Sequence, residues 1–200
     1  MWSLALTGGV ATGKSAFSKL LLEKVRAVYF SADDCAKNLV LTNSEVRETL
    51  VELFGANIFC ANGQLNRERV RNEMFQNETL RFSLEKLFHP RIRARWLEIA
   101  QNCRAKGDNF LAEIPLLYEA MAETHFDAVA VVACSQQRQV KRLVKDRGLS
   151  PNLAMSIIAT QLSLSTKMQN ANYMIWNEAS LLELDEQATV LSAALESRYE

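Results

Sequence analysis

The chain has 200 residues, 48% of them hydrophobic, and its 23 Lys and Arg are balanced by 23 Asp and Glu. That length suits one domain with a real core, and zero net charge excludes a nucleic-acid or membrane partner recruited by bulk charge, so any anion binding must come from local charge. Four cysteines without C-x-x-C spacing, only two histidines, and neither a basic-then-apolar leader nor an apolar run of about eighteen residues point to a cytoplasmic protein with ordinary thiols and no Cys/His metal site.

The first predicted strand is the apolar run Leu4–Thr7. Clustered glycines follow at once, then an amphipathic stretch in which Phe17, Leu20 and Leu21 share one helix face. Gly8, Gly13, Lys14 and Ser15 satisfy G-x-x-x-x-G-K-[ST], the phosphate-loop pattern. Glycine lets backbone N–H groups converge on phosphate oxygens without a Cβ in the way, at the positive end of the helix that begins there. Gly8, Gly9, Val10, Ala11, Thr12 and Gly13, with Lys14, Ser15 and Ala16 opening the helix, are therefore the expected ATP-binding residues. Lys14 would reach the β and γ phosphates and the Ser15 hydroxyl would ligate Mg²⁺. The chain has neither the N-K-x-D nor the D-x-x-G element of guanine-specific switches, which leaves a kinase or an ATPase.

A second strand at Ala27–Phe30 is followed by Asp33 and Asp34. A carboxylate beyond a strand's carboxyl end can accept a proton from an attacking hydroxyl, which makes Asp33 a candidate base; capping of the next helix explains the pair equally well. Between Phe30 and Phe110, about eighty residues lack a convincing strand and read as a helical insertion. From Gln64 to Glu98 it carries eight Lys and Arg against five acidic residues, enough to hold an anionic acceptor or merely to form a solvated charged helix pair. Pro90 is expected to interrupt a helix where His89, Arg91 and Arg93 cluster.

The third and fourth strands are predicted at Phe110–Ile114 and Ala128–Cys134. Glu113, in "FLAEIP", is only a weak equivalent of the carboxylate that ends the corresponding strand in motor ATPases. A helix-rich stretch from about Gln136 to Met168 places Arg138, Lys141, Arg142 and Lys145 on one face and Val140, Leu143 and Val144 on another, the pattern of a basic lid over a triphosphate or of a solvated face. After a fifth strand at Tyr173–Ile175, Leu181, Leu184, Ala188, Leu191 and Leu195 mark a last helix, with Ser180 and Glu183 spaced as a capping box. The sum is an α/β protein, a P-loop NTPase three-layer α/β/α fold with a parallel sheet of about five strands. Its core would span about residues 1–34, 106–135 and 170–200, with a helical insertion at about 35–105 and a second helical stretch at about 136–169, which the family resemblance given next implies to be an acceptor-binding insertion and a lid.

Taken in order, "LTGGVATGKS", "SAD" at Ser31–Asp33, "GQLNR" at Gly63–Arg67, "HPRIR" at His89–Arg93, "PLLYE" at Pro115–Glu119, "QVKRLVKDR" at Gln139–Arg147 and "IWN" at Ile175–Asn177 resemble the motifs of the dephospho-coenzyme A kinases nearly end to end. The resemblance implies transfer of the ATP γ-phosphoryl group to the ribose 3′-hydroxyl of dephospho-coenzyme A, with Mg²⁺. Carried over position by position, it implies Asp33 as catalytic base, Lys14 on the phosphates, Ser15 on the metal, Arg142 on the transferring group and Asn177 in the adenine-contacting stretch. Arg67, His89, Arg93, Pro115 and Leu116, with Asp33, would contact the acceptor. Partners would be these two small molecules alone, with no nucleic acid or membrane, in a monomer or weak homo-oligomer. Ser31 replaces the first Asp of the family's "DAD", Lys145 a lid Arg, Trp176 the Asp of "IDN", and Asn66 and Asn172 common aspartates. These departures suggest a slower enzyme. Another small-molecule P-loop kinase and a catalytically impaired nucleotide-binding sensor are the alternatives.

Overall fold

The computed structural model describes residues 1–199, with the backbone alone at 75–76. The chain divides into two compact units, one formed by Met1–Ser31 together with the chain from Glu98 onward, the other by Ala32–Leu97.

In the first unit β1 (Ser3–Gly8), β2 (Val28–Ser31), β3 (Phe110–Glu113), β4 (Ala128–Ala133) and β5 (Tyr173–Trp176) form one sheet in the order β2-β3-β1-β4-β5. Every pairing is parallel, and each strand lies within about one residue of its predicted limits. Fully buried parallel strands read as unbroken apolar runs, and β4, with the sequence AVAVVA, is buried at every position. On one face, α1 (Lys14–Leu22) and α9 (Leu181–Tyr199) deliver Phe17, Leu21, Leu184, Ala188, Leu191 and Leu195 to Leu4 and Leu6 of β1 and Val132 of β4. Each large side chain buried in this way contributes about 1.5–3 kcal/mol.

The stretch after β4 forms α6 (Gln136–Arg147), α7 (Pro151–Ala159) and α8 (Leu164–Gln169). Leu143, Leu149 and Ala154 make a small core there, against which Val10, Ala11, Val140 and Val144 pack, so the predicted apolar face of α6 is turned inward toward the phosphate loop. Because the sheet order reverses direction around β1, the loop at its carboxyl end occupies a switch point, where open α/β sheets bind ligands.

The Ala32–Leu97 unit is helical, as predicted for the insertion. It contains α2 (Ala32–Thr42), α3 (Ser44–Phe54), α4 (Arg67–Gln76) and most of α5 (Glu78–Lys106), gathered around Val46, Leu50, Ile58, Leu84 and Leu87. Asn43 and Asn66 cap α3 and α4, their side chains accepting from the backbone N–H groups of Val46 and Arg69 at 3.0 Å each. The expected break at Pro90 does not occur: α5 runs unbroken through it. A proline removes one backbone donor, but Leu84 and Leu87 before it and Trp96 after it are all buried, and packing on both sides outweighs the lost hydrogen bond. His89, Arg91 and Arg93 therefore sit on a helix and not on a turn.

The capping box ahead of α9 forms as predicted. The Ser180 hydroxyl accepts from the Glu183 N–H at 3.3 Å, and the Glu183 carboxylate accepts from the Ser180 N–H at 2.8 Å. Ser180→Ala is expected to lower stability by about 1 kcal/mol, seen in urea melts as a lower midpoint with an unchanged slope.

Candidate active site

The phosphate loop runs from the last residue of β1 to the first turn of α1. At Gly8 a Cβ would stand 2.2 Å from the Val132 carbonyl oxygen. Gly13 has φ +97°, and a Cβ there would meet the Asn177 amide nitrogen at 2.1 Å. Both positions accept only glycine, one because a neighbouring strand is so close and the other because its backbone is left-handed as well. Ala11 holds φ 58°, a conformation that costs a non-glycine residue about 1 kcal/mol or more and persists only where neighbours enforce it.

Those neighbours are identifiable. Gln139 of α6 donates its side-chain amide to the Val10 carbonyl at 2.7 Å, while the Val10 N–H donates to Gln161 at 2.9 Å. Arg142 donates to the carbonyls of Ala11 at 3.0 Å and Thr12 at 3.1 Å, and Asn177 donates to the Thr12 carbonyl at 2.8 Å. Lys14, 9% exposed, lies along the loop with its Nζ donating to Gly9 at 2.8 Å. A cation and a helix N-terminus thus share one concave backbone segment, an arrangement suited to binding a polyphosphate.

Beside Lys14, the Ser15 hydroxyl donates to Glu113 Oε1 at 2.7 Å. Glu113 ends β3, is 4% exposed, and also accepts at Oε2 from Ser18 at 2.9 Å and from the Tyr29 hydroxyl at 2.7 Å. The sequence offered only a weak hint here, a carboxylate at the end of an apolar strand; the parallel register Leu6↔Glu113 brings it to the loop. Burial, reinforced by the Glu113 carboxylate, pushes the Tyr29 phenol up to about 12, so it stays a donor.

The predicted basic face of α6 divides. Lys141 and Lys145 are exposed, whereas Arg142 is turned to the loop and to the Asn177 carbonyl at 3.3 Å, and Arg138 to the Glu178 carbonyl. Glu178 accepts from the Ser135 N–H at 2.8 Å and its hydroxyl at 2.9 Å, and these bonds hold its carboxyl below the usual carboxylate range. Asn177 is buried at 7% exposure against the loop. Asn172 accepts from the Val129 N–H at 2.8 Å, so here, as at Asn66, an amide oxygen serves a backbone donor that a carboxylate could equally serve. Nothing in the structure explains Trp176 or Lys145.

Pro115 and Leu116 open the turn after β3. The Pro115 carbonyl accepts from the Thr7 hydroxyl and from Lys167 Nζ, both at 3.0 Å. Lys167, fully buried on α8, also pairs with Glu119 at 2.8 Å; the sequence carried no signal for it beyond an unremarked Lys.

Arg67, His89, Arg93 and Asp33 belong to the Ala32–Leu97 unit. Arg67 opens α4 and is exposed, while His89 and Arg93 lie one turn apart on α5, half-buried. Arg91 is engaged by Glu45 at 2.7 Å. Asp33 and Asp34 are both exposed within the first turn of α2, not ahead of it, so neither is the residue preceding the helix; there the helix dipole favours a carboxylate. Asp34 pairs with Lys37.

The family model described as dephospho-CoA kinase matches residues 2–183. The chain belongs to the dephospho-CoA kinase family. A dephospho-CoA kinase of Syntrophotalea carbinolica is 34% identical over 199 residues, covering 98% of this chain and 92% of that one. Among solved structures, a protein from Thermus thermophilus superposes with a TM-score of 0.75 at 26% identity, covering 100% of this chain and 98% of its own. The dephospho-CoA kinase from Campylobacter jejuni gives a TM-score of 0.71 at 23% identity over 99% of this chain and 98% of that one, which bears on the fold. Membership supports kinase activity and the use of ATP.

Gly13→Ala is expected to weaken ATP binding by about tenfold or more, because the new Cβ must displace Asn177 and the left-handed backbone resists it. Calorimetric titration with ATP, alongside circular dichroism to confirm folding, measures this.

Proposed function

We propose that the protein transfers the γ-phosphoryl group of ATP to the ribose 3′-hydroxyl of dephospho-coenzyme A, giving coenzyme A and ADP. The observation that carries this reading is an intact phosphate loop, with Ser15 bonded to Glu113, inside a chain that the family model spans over residues 2–183. Membership of the family supports the acceptor, and the local excess of basic residues between Gln64 and Glu98 suits its pyrophosphate. A cytoplasmic location is part of this proposal, since ATP is the donor.

The residues fit Mg²⁺. Ser15 and Glu113 offer hard oxygen donors, and among the described residues the buried Glu113 carboxylate accepts from the neutral hydroxyls of Ser15, Ser18 and Tyr29, so a cation nearby is favoured. Among the described residues no cluster of three or more His, Cys, Asp or Glu is arranged to hold a metal unaided, which suits a cation completed by phosphate oxygens and water. Ser15 and Glu113 would hold Mg²⁺, which would supply neutralisation of the negative charge on the phosphates.

In this reading Lys14 leaves the Gly9 carbonyl for phosphate oxygens while the loop N–H groups hold the β phosphate. Asp33, two residues beyond β2, accepts the proton of the 3′-hydroxyl as its oxygen bonds to the γ phosphorus and the bond to the ADP oxygen breaks. Arg142 neutralises charge on the transferring group, and Arg67, His89, Arg93, Pro115 and Leu116 orient the acceptor. The retention of Lys14, Ser15, Asp33 and Arg142 favours a working kinase over a sensor.

Incubating the protein with ATP, Mg²⁺ and dephospho-coenzyme A should yield coenzyme A and ADP in equal amounts by mass spectrometry. ADP formed only with a different hydroxyl acceptor would replace the substrate assignment, and tight ATP binding with no turnover on any acceptor would replace the enzyme with a sensor. Lys14→Ala is expected to impair ATP use whatever the acceptor. Asp33→Asn should reduce kcat about a hundredfold or more with ATP affinity nearly intact, and a normal kcat would leave Asp33 without a role as base.

A further inference from the structure

The proposed metal–nucleotide site depends on where one carboxylate points, and that carboxylate is held in part by two residues no part of the reaction scheme uses, Ser18 and Tyr29. Glu113 accepts from Ser15 at Oε1 and from Tyr29 and Ser18 at Oε2, at 2.7, 2.7 and 2.9 Å respectively. A Ser15 hydroxyl that donates to Oε1 has its lone pairs directed away from Glu113, the orientation in which it can ligate a cation. A glutamate has three side-chain torsions, and one of its oxygens can go on accepting from the Ser15 hydroxyl only if the other oxygen is anchored.

We infer that Tyr29, with Ser18, is a positioning residue for the metal–nucleotide site, acting through Glu113 and Ser15. The reach is built into the fold. Tyr29 lies on β2 opposite Leu111, two residues before the register pair Ser31↔Glu113, and its side chain spans that offset to arrive at Oε2. Ser18 stands one turn after Ser15 on α1, so both hydroxyls face the end of β3. At Ser31 a hydroxyl residue faces Glu113 in the register where a second carboxylate would add like charge. The carboxylate of this site is therefore oriented by neutral donors.

The inference rests on the metal–nucleotide reading above, and the two are tested separately. ADP affinity is measured by calorimetry with and without Mg²⁺ for the wild type, Tyr29→Phe, Ser18→Ala and the double variant, with folding checked by circular dichroism. A wild-type protein whose ADP affinity gains nothing from Mg²⁺ would overturn the metal–nucleotide reading itself. Given a wild-type gain, Tyr29→Phe is expected to reduce that gain about tenfold, the double variant further, and metal-free affinity should stay unchanged, since a hydrogen bond to a charged group is lost. An undiminished gain in the double variant would overturn the positioning role. So would an equal loss with and without metal, because a packing role acts on both. If Tyr29→Phe fails to fold, Ser18→Ala carries the same comparison.

Discussion

The site depends on a loop of backbone whose carbonyl oxygens have partners of their own. If the N–H groups of residues 8–15 are to converge on phosphate, the carbonyls of the same peptide units must be satisfied elsewhere, because neither group can be left buried and unpaired. Here Gln139, Arg142 and Asn177 take the carbonyls of Val10, Ala11 and Thr12, and in doing so they hold Ala11 left-handed and bring Asn177 so close to Gly13 that no side chain fits there. Those three residues come from α6 and from the end of β5, so the loop's shape is a property of the whole first unit.

That dependence gives α6 two duties. Its apolar face, through Leu143, forms the small core against which Val10 and Ala11 pack, and its Gln139 and Arg142 fasten the loop's backbone. Rigidity of the loop therefore depends on one side chain, the Arg142 guanidinium that bonds the Ala11 and Thr12 carbonyls. Lys cannot substitute at such a position, since one ammonium cannot reproduce the planar fork that reaches both carbonyls and Asn177.

Much of this was legible beforehand. The five strands, the phosphate loop, the helical insertion, the inward face of α6 and the Ser180–Glu183 capping box were all read from spacing, because each depends on residues close in sequence. The exception at Pro90 has a local rule and a tertiary override: buried side chains on both sides keep α5 continuous despite the missing donor. The ordered motifs also led to the right family, which the match over residues 2–183 establishes.

By itself the sequence determined the elements, their parallel alternation and the identity of the residues that close the phosphate loop, since helical and strand periodicity, glycine's conformational range and the G-K-S signature act over a few neighbours. Only the tertiary structure decided which distant groups meet. Ser15 and Glu113 are 98 positions apart, Val10 and Gln139 129 apart, and Lys167 and Pro115 52 apart. Those meetings follow from strand order and from the register of parallel pairs, where a shift of one residue would turn each side chain to the opposite face. Glu113 was therefore a faint signal in the chain and a principal one in the fold, and Lys167 became visible only once burial had taken its charge out of water and given it Glu119.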